Sequence, residues 1–180
     1  MRALPPSNTR RLGAGLPPDS DVRFRPIADT SQRWHRCQMD FIIRAATVSD
    51  IIPMHRVRSR VRENRLSDPQ RITEASYLPY IEADSIWIAE TDGAVVGFAA
   101  VDEPSKSIWA LFIDPDVEGA GIGRALHLQM LRWAREQGLL RLTLSTAQGT
   151  RAARFYKRAG WTEVGITRDG EALMEISLLS

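Results

Sequence analysis

The segment Ile113-Asp114-Pro115-Asp116-Val117-Glu118-Gly119-Ala120-Gly121-Ile122-Gly123-Arg124-Ala125-Leu126 restricts the fold more than any other stretch of the chain. Ser107 to Ile113 reads as a strand, and Asp114-Pro115 ends it. Three alternate glycines follow. A helical run then begins at once, with Leu126, Met130 and Trp133 or Ala134 recurring at helical spacing until Gly138 stops it. Glycine lets the backbone turn sharply and lets a ligand approach the main chain without a Cβ in the way. The first-turn N–H groups of the helix lack intrahelical partners and sit at the positive end of its dipole. Together these features make a site for a pyrophosphate. The competing reading is a glycine-rich turn without a ligand, which three alternating glycines directly before a well-formed helix disfavour. Two other phosphate loops are excluded. A dinucleotide fingerprint needs a glycine where Arg124 or Leu126 stands, and a P-loop needs a Gly-Lys-Ser or Gly-Lys-Thr that is absent.

The rest of the chain from Asp40 onward is regularly punctuated. Phe41-Ile42-Ile43-Arg44 reads as a strand, and Thr47 or Asp50 caps a helix to about Glu63, with Pro53 in its first turn. A loop through Asp68-Pro69 leads to a short helix from about Thr73 to Ala83. Strands at Ile86–Ala89 and Val95–Val101 meet at Asp92-Gly93, a strong hairpin signal. Leu140–Leu144 alternates as a strand, a helix passes through Ala152, Phe155 and Tyr156 to Gly160, and strands near Val164–Arg168 and Ala172–Leu178 close the chain. The order β-α-α-β-β-β-α-β-α-β-β predicts an α/β fold of the mixed, α+β kind. Its sheet is mostly antiparallel and twisted, with six to seven strands flanked by about four helices.

Composition narrows the function. Hydrophobic residues at 43% and charged residues at 26% are ordinary for a globular domain, and no apolar run reaches the length of a membrane span. Cys37 is the single cysteine, which rules out an internal disulfide and points to a reducing cytoplasm. His35, His55 and His127 are too scattered to suggest a metal site. Residues 1–39 hold seven arginines against Asp19, Asp21 and Asp29, a charge of +4, whereas the remaining residues carry −2. The basic character therefore belongs to the N-terminal segment, and the body carries no footprint for nucleic acid. That segment is broken by Pro5, Pro6, Pro17, Pro18 and Pro26 and shows no apolar period. It reads as a disordered or mis-assigned extension over residues 1–39, with Met39 as the natural start and the domain occupying 40–180. It lacks the apolar centre of a secretory signal, and its aspartates and prolines argue against a transit peptide.

On these motifs, residues 40–180 resemble the GCN5-related N-acetyltransferase (GNAT) family. Glu118-Gly119-Ala120-Gly121-Ile122-Gly123 is similar to the family's phosphate motif, Arg/Gln-x-x-Gly-x-Gly/Ala. Leu111-Phe112-Ile113-Asp114-Pro115 resembles its splayed fourth strand, whose main chain pairs with the pantetheine arm. Phe155-Tyr156-Lys157-Arg158-Ala159-Gly160-Trp161 resembles its second signature, Phe-Tyr-x-x-x-Gly-Phe/Trp. The resemblance implies acetyl-CoA as co-substrate and an amine acceptor and leaves room for a homodimer, while the composition leads us to expect no metal, nucleic acid or membrane partner. It implies coenzyme contacts from Leu111, Phe112, Ile113, Glu118, Gly119, Ala120, Gly121, Ile122, Gly123, Arg124, Ser145 and Tyr156. The chain departs from the family at three places. Glu118 stands where Arg or Gln is usual, Ala110 takes the place of a frequent glutamate base on the fourth strand, and Ser145-Thr146-Ala147-Gln148 replaces an Asn.

Tyr156 resembles the family's tyrosine that protonates or hydrogen-bonds the departing thiolate, a task that suits a phenol of reference pKa about 10. Its alternative is a packing tyrosine on an amphipathic helix. Glu63 and Asp102, with Glu103 beside it, are the carboxylates nearest by topology for a base, although exposed carboxylates are mostly just solvated. Trp87, Trp109, Trp133 and Trp161 fall on different elements and read as core or pocket filling. The leading reading is direct acetyl transfer to an amine, and the second is a catalytically weak acyl-CoA-binding or regulatory domain.

Overall fold

The computed structural model describes residues 39–61 and 72–179, together with the backbone of residues 22–23. Eight strands form one sheet: β1 (Val22–Arg23), β2 (Ile42–Ala45), β3 (Ile86–Thr91), β4 (Ala94–Asp102), β5 (Ser107–Ile113), β6 (Arg141–Thr146), β7 (Thr162–Ile166) and β8 (Ala172–Ser177). Four α-helices flank it: α1 (Ile51–Arg60), α2 (Leu78–Glu82), α3 (Ile122–Glu136) and α4 (Arg151–Arg158). The strand order is β1-β2-β3-β4-β5-β6-β8-β7, and every pairing is antiparallel except β5 with β6. Seven of these strands are those expected from the sequence. The eighth, β1, adds two residues of the N-terminal segment to the edge beside Ile42 and Ile43.

The central strands are buried on both faces, so they read as continuous apolar runs rather than alternating ones. Successive side chains point to opposite layers. Trp87, Ala89, Ala99 and Val101 join α3 residues Ile122, Leu126 and Met130 and α4 residue Tyr156 in one core. Ile86, Ile88, Phe98 and Ala100 join Met54 and Val57 of α1 and Tyr77 in the other. Gly97 sits where α3 crosses β4. A Cβ there would lie 2.8 Å from Ile113 Cδ1 and 3.3 Å from Leu126 Cδ1.

Helix boundaries differ from the sequence reading near the N-terminal half. Thr47 opens a 3-10 turn at Val48–Asp50, because the Asp50 carboxylate accepts from the Thr47 backbone N–H at 2.8 Å and so turns back onto the cap. The same carboxylate receives two hydrogen bonds from Arg44, at 2.8 and 2.9 Å. Helix α1 then ends at Arg60 rather than Glu63, and residue 63 lies outside the described residues. The single helix expected over Thr73–Ala83 divides into a 3-10 turn, Glu74–Tyr77, and the short α2, with Pro79 in its first turn.

Candidate active site

Strands β5 and β6 touch at one end only. Ser107 is the single residue of β5 in register with β6, opposite Thr143, whereas β6 pairs with β8 along all six of its residues. The cause lies in the β4–β5 ladder. Ala100 faces Ala110 but Val101 faces Ile108, so Trp109 is an extra residue in β5. Such a bulge bends the strand that carries it. Beyond it β5 leaves β6, and among the described residues the main chain of Ile108–Ile113 has no strand partner on that side.

The opened wedge is a cleft of about 980 Å³, at the upper end of the range for small-molecule sites. Every residue singled out for coenzyme contact lines it: Leu111, Phe112, Ile113, Glu118, Gly119, Ala120, Gly121, Ile122, Gly123, Arg124, Ser145 and Tyr156. Helix α3 begins at its mouth. Gly121 is the N-cap residue with φ +88°, a left-handed conformation that favours glycine, and its Cβ direction is open for 4 Å. Ala125 N–H donates to Gly121 O at 3.1 Å. Gly123 differs. A Cβ there would make only an ordinary 3.5 Å contact with Ile113, so the packing of strand and helix does not itself require glycine at this position.

The acidic run before the glycines is compensated. Arg60 donates to Asp114 at 2.5 Å and to Asp116 at 2.7 Å. Glu118, the departure from the family motif, pairs with Arg151 at the start of α4. Its charge is thereby directed at a guanidinium. Arg151 and Arg158, together with Arg124, bring cations to the cleft wall. Arg151 and Arg158 were not apparent as cleft residues in the sequence. Thr150, whose hydroxyl accepts from the Ala153 N–H, marks the start of α4, but nothing local places Arg151 against a residue 33 positions earlier.

Tyr156 is buried within an aromatic group, 5.2 Å from Phe155, 5.4 Å from Trp161 and 6.2 Å from His127 between ring centroids. Burial raises its phenol well above the usual tyrosine range. His127 is buried too, and the Trp161 indole N–H donates to its Nε2 at 2.9 Å. The histidine is therefore neutral with its proton on Nδ1, and burial pushes its pKa down to about 4. Nothing in the sequence pairs His127 with Trp161. Ser145 donates to Glu171 at 2.5 Å. Ala110 is buried on the face towards α1. Asp102 stands apart from the cleft, accepting from Ser105 Oγ at 2.6 Å in the β4–β5 turn. Among the tryptophans, Trp87 and Trp133 pack together in the core at 5.8 Å, and Trp109 lines the cleft.

The sequence model of the Acetyltransferase (GNAT) family matches residues 54–161. The chain belongs to this family. Among curated GNAT relatives, the mycothiol acetyltransferase of Thermomonospora curvata is 29% identical over 92 residues, 49% of this chain and 31% of that protein. The corresponding enzyme of Cellulomonas flavigena is 34% identical over 46% of this chain and 24% of its own. An uncharacterized N-acetyltransferase of Methanocaldococcus jannaschii is 30% identical over 48% and 43%. The matched stretch thus spans less than half of each. Ard1 from Thermoplasma volcanium superposes with a TM-score of 0.66 at 24% identity, covering 78% of this chain and 99% of that one. The PaiA N-acetyltransferase from Thermoplasma acidophilum, solved with coenzyme A, gives 0.67 at 17% identity over 77% and 99%. Identities this low speak for the GNAT fold. Among the described residues no helix is long and apolar enough to cross a membrane.

Proposed function

We propose that residues 40–180 form a GNAT domain that moves an acetyl group from acetyl-CoA directly to an amine, on a small molecule or a peptide. The observation that carries this reading is the wedge. It joins an unpaired strand edge, a glycine-capped helix N-terminus and a buried phenol in one cleft. The groups present fit the coenzyme. The main chain at Leu111, Phe112 and Ile113 supplies hydrogen-bonding groups for the pantetheine amides. The first-turn N–H groups of α3, the open backbone at Gly121, and the Arg124 guanidinium suit the pyrophosphate. Ser145 and Gly119–Gly123 complete the wall.

Acetyl-CoA supplies the acyl group as a thioester, so transfer forms a C–N bond, breaks a C–S bond and leaves a thiolate. Tyr156 answers that charge. Its raised pKa keeps the hydroxyl protonated at neutral pH, and a phenol more weakly acidic than a thiol of reference pKa about 8.5 hydrogen-bonds the thiolate without surrendering its proton. The thiolate's proton then comes from the amine. Of the two carboxylates proposed to relay it, Glu63 follows α1, and Asp102, held by Ser105, acts only through water. The wedge itself contributes by holding the acyl donor in one orientation. The reading uses no metal, nucleic acid or membrane, works for a monomer as for a homodimer, and suits a cytoplasmic enzyme with one cysteine.

A second reading is an acyl-CoA-binding or regulatory domain of weak activity, which Ala110 favours by placing a methyl group where the family often has a carboxylate. Titration calorimetry with acetyl-CoA, followed by thiol release across an amine panel, separates the two. Gly121→Asn tests the cleft, because asparagine tolerates a left-handed conformation while its side chain enters the open space. The variant should fold and bind acetyl-CoA at least about tenfold more weakly. Unchanged affinity would remove the pyrophosphate from this loop, and binding without amine-dependent thiol release would select the second reading.

A further inference from the structure

We propose that Arg151 of α4 binds the pyrophosphate of the coenzyme from across the cleft, supplying positive charge that the glycine loop lacks. This rests on the acetyl-transfer reading and adds to it a binding residue from a separate element. Between Ile113 and Leu126 the chain carries Asp114, Asp116 and Glu118 against a single cation, Arg124. The segment that must receive a negatively charged group therefore has a net charge of −2 of its own. Like charges a few ångströms apart repel, and the N-terminus of α3 offers only about half an elementary charge to oppose them. Cations from elsewhere in the fold have to offset the difference.

Two elements provide one each. Arg60, the last residue of α1, donates to both Asp114 and Asp116, and it is not among the residues that line the cleft. Arg151 does line the cleft, as does its partner Glu118, and its side chain is 54% exposed. The two partners come from opposite walls. Glu118 follows β5 and Arg151 follows β6, and these are the strands that part to make the wedge. Their ion pair brings a guanidinium of α4 to the loop, three residues before the left-handed Gly121 that caps α3. The backbone under Arg151 is fixed, because the Thr150 hydroxyl donates to Ala147 O at 2.8 Å and accepts from Ala153 N–H at 3.1 Å. A guanidinium presents N–H donors along more than one edge, so it can hold a carboxylate and a phosphate together. With Arg60 and Arg151 added to Arg124, the three carboxylates are matched by three cations, and the pyrophosphate meets a neutral loop.

The test is titration calorimetry with CoA and with dephospho-CoA, which lacks the 3′-phosphate and keeps the pyrophosphate. The proteins are the wild type, Arg151→Gln, Arg151→Lys and the double variant Glu118→Gln with Arg151→Gln. Arg151→Gln should weaken both ligands about ten- to a hundredfold, the loss expected for charge-assisted hydrogen bonds. Arg151→Lys should lose less, because it keeps the charge without the fork. The double variant has the same total charge as the wild-type pair, yet it should stay at least about fivefold weaker, since the donor is gone. A double variant that binds like the wild type would reduce Arg151 to a counter-ion for Glu118 and overturn the proposal. So would a loss seen with CoA and absent with dephospho-CoA, which would move Arg151 to the 3′-phosphate. An exposed ion pair adds little to folding, so Tm should stay within about 4 °C of wild type. If Arg151→Gln does not fold, the lysine variant decides: weaker binding of both ligands supports the site, and wild-type affinity overturns it. Wild-type protein that binds CoA, with no loss in Arg151→Gln, would overturn this proposal alone. Wild-type protein that binds neither ligand would overturn it together with the acetyl-transfer reading.

Discussion

Acidification should strip stability from this fold through one residue, His127. In the folded protein its ring is buried, receives the Trp161 indole N–H on Nε2, and has its pKa pushed down to about 4 by burial. Unfolded, the same imidazole returns to about 6.5. The native state therefore holds its proton less tightly than the unfolded state. The sign follows directly. Stability is complete above about pH 6.5 and declines as pH falls towards about 4, because protons are taken up preferentially by the unfolded chain. Between about pH 7 and pH 5 these two values give a loss of about 2 kcal/mol, and the full separation corresponds to about 3 kcal/mol. His127→Gln offers an amide oxygen to Trp161 without a titrating group. Urea unfolding followed by tryptophan fluorescence should give the wild type a steeper decline with acidity than the variant, by about 2 kcal/mol over that interval. Parallel pH profiles for the two proteins would refute the reasoning, since they would place the imidazole in water with an ordinary pKa. The same acid step should loosen the aromatic group that holds Tyr156.

Tyr156→Phe should lower kcat by about a hundredfold when chemistry limits the rate, with acetyl-CoA affinity in calorimetry near wild type. A rate within about twofold of wild type would return the hydroxyl to a packing role. Gly97→Ala should cost about 1–3 kcal/mol in urea unfolding, because the added Cβ meets Ile113 at 2.8 Å and the Phe112 carbonyl oxygen at 3.1 Å, and a backbone neighbour cannot step aside. Gly123→Ala, whose Cβ would sit at 3.5 Å from Ile113, should unfold within about 1 kcal/mol of wild type.

The sequence by itself determined the order of the elements and the position of the glycine loop ahead of α3. Both depend on interactions a few residues long. The hairpin at Asp92-Gly93, the left-handed cap at Gly121 and the period of α3 are set by local backbone sterics and by which side chains share a face. Tyr156 stood out through its resemblance to a family signature, since spacing alone fits a packing tyrosine equally well, and it lies on the cleft wall. The tertiary structure decided what those elements do together. The Trp109 bulge exists only against β4, and it opens the wedge. Glu118 reads as a misplaced negative charge until Arg151 is found beside it. His127 and Trp161 lie 34 residues apart, and Arg58 of α1 lies over the ring of Trp109 in a contact that no periodicity encodes. Contacts of this kind depend on how strands register and helices cross. Bulges and long-range ion pairs arise there, from the packing of distant segments whose individual patterns are indifferent to one another.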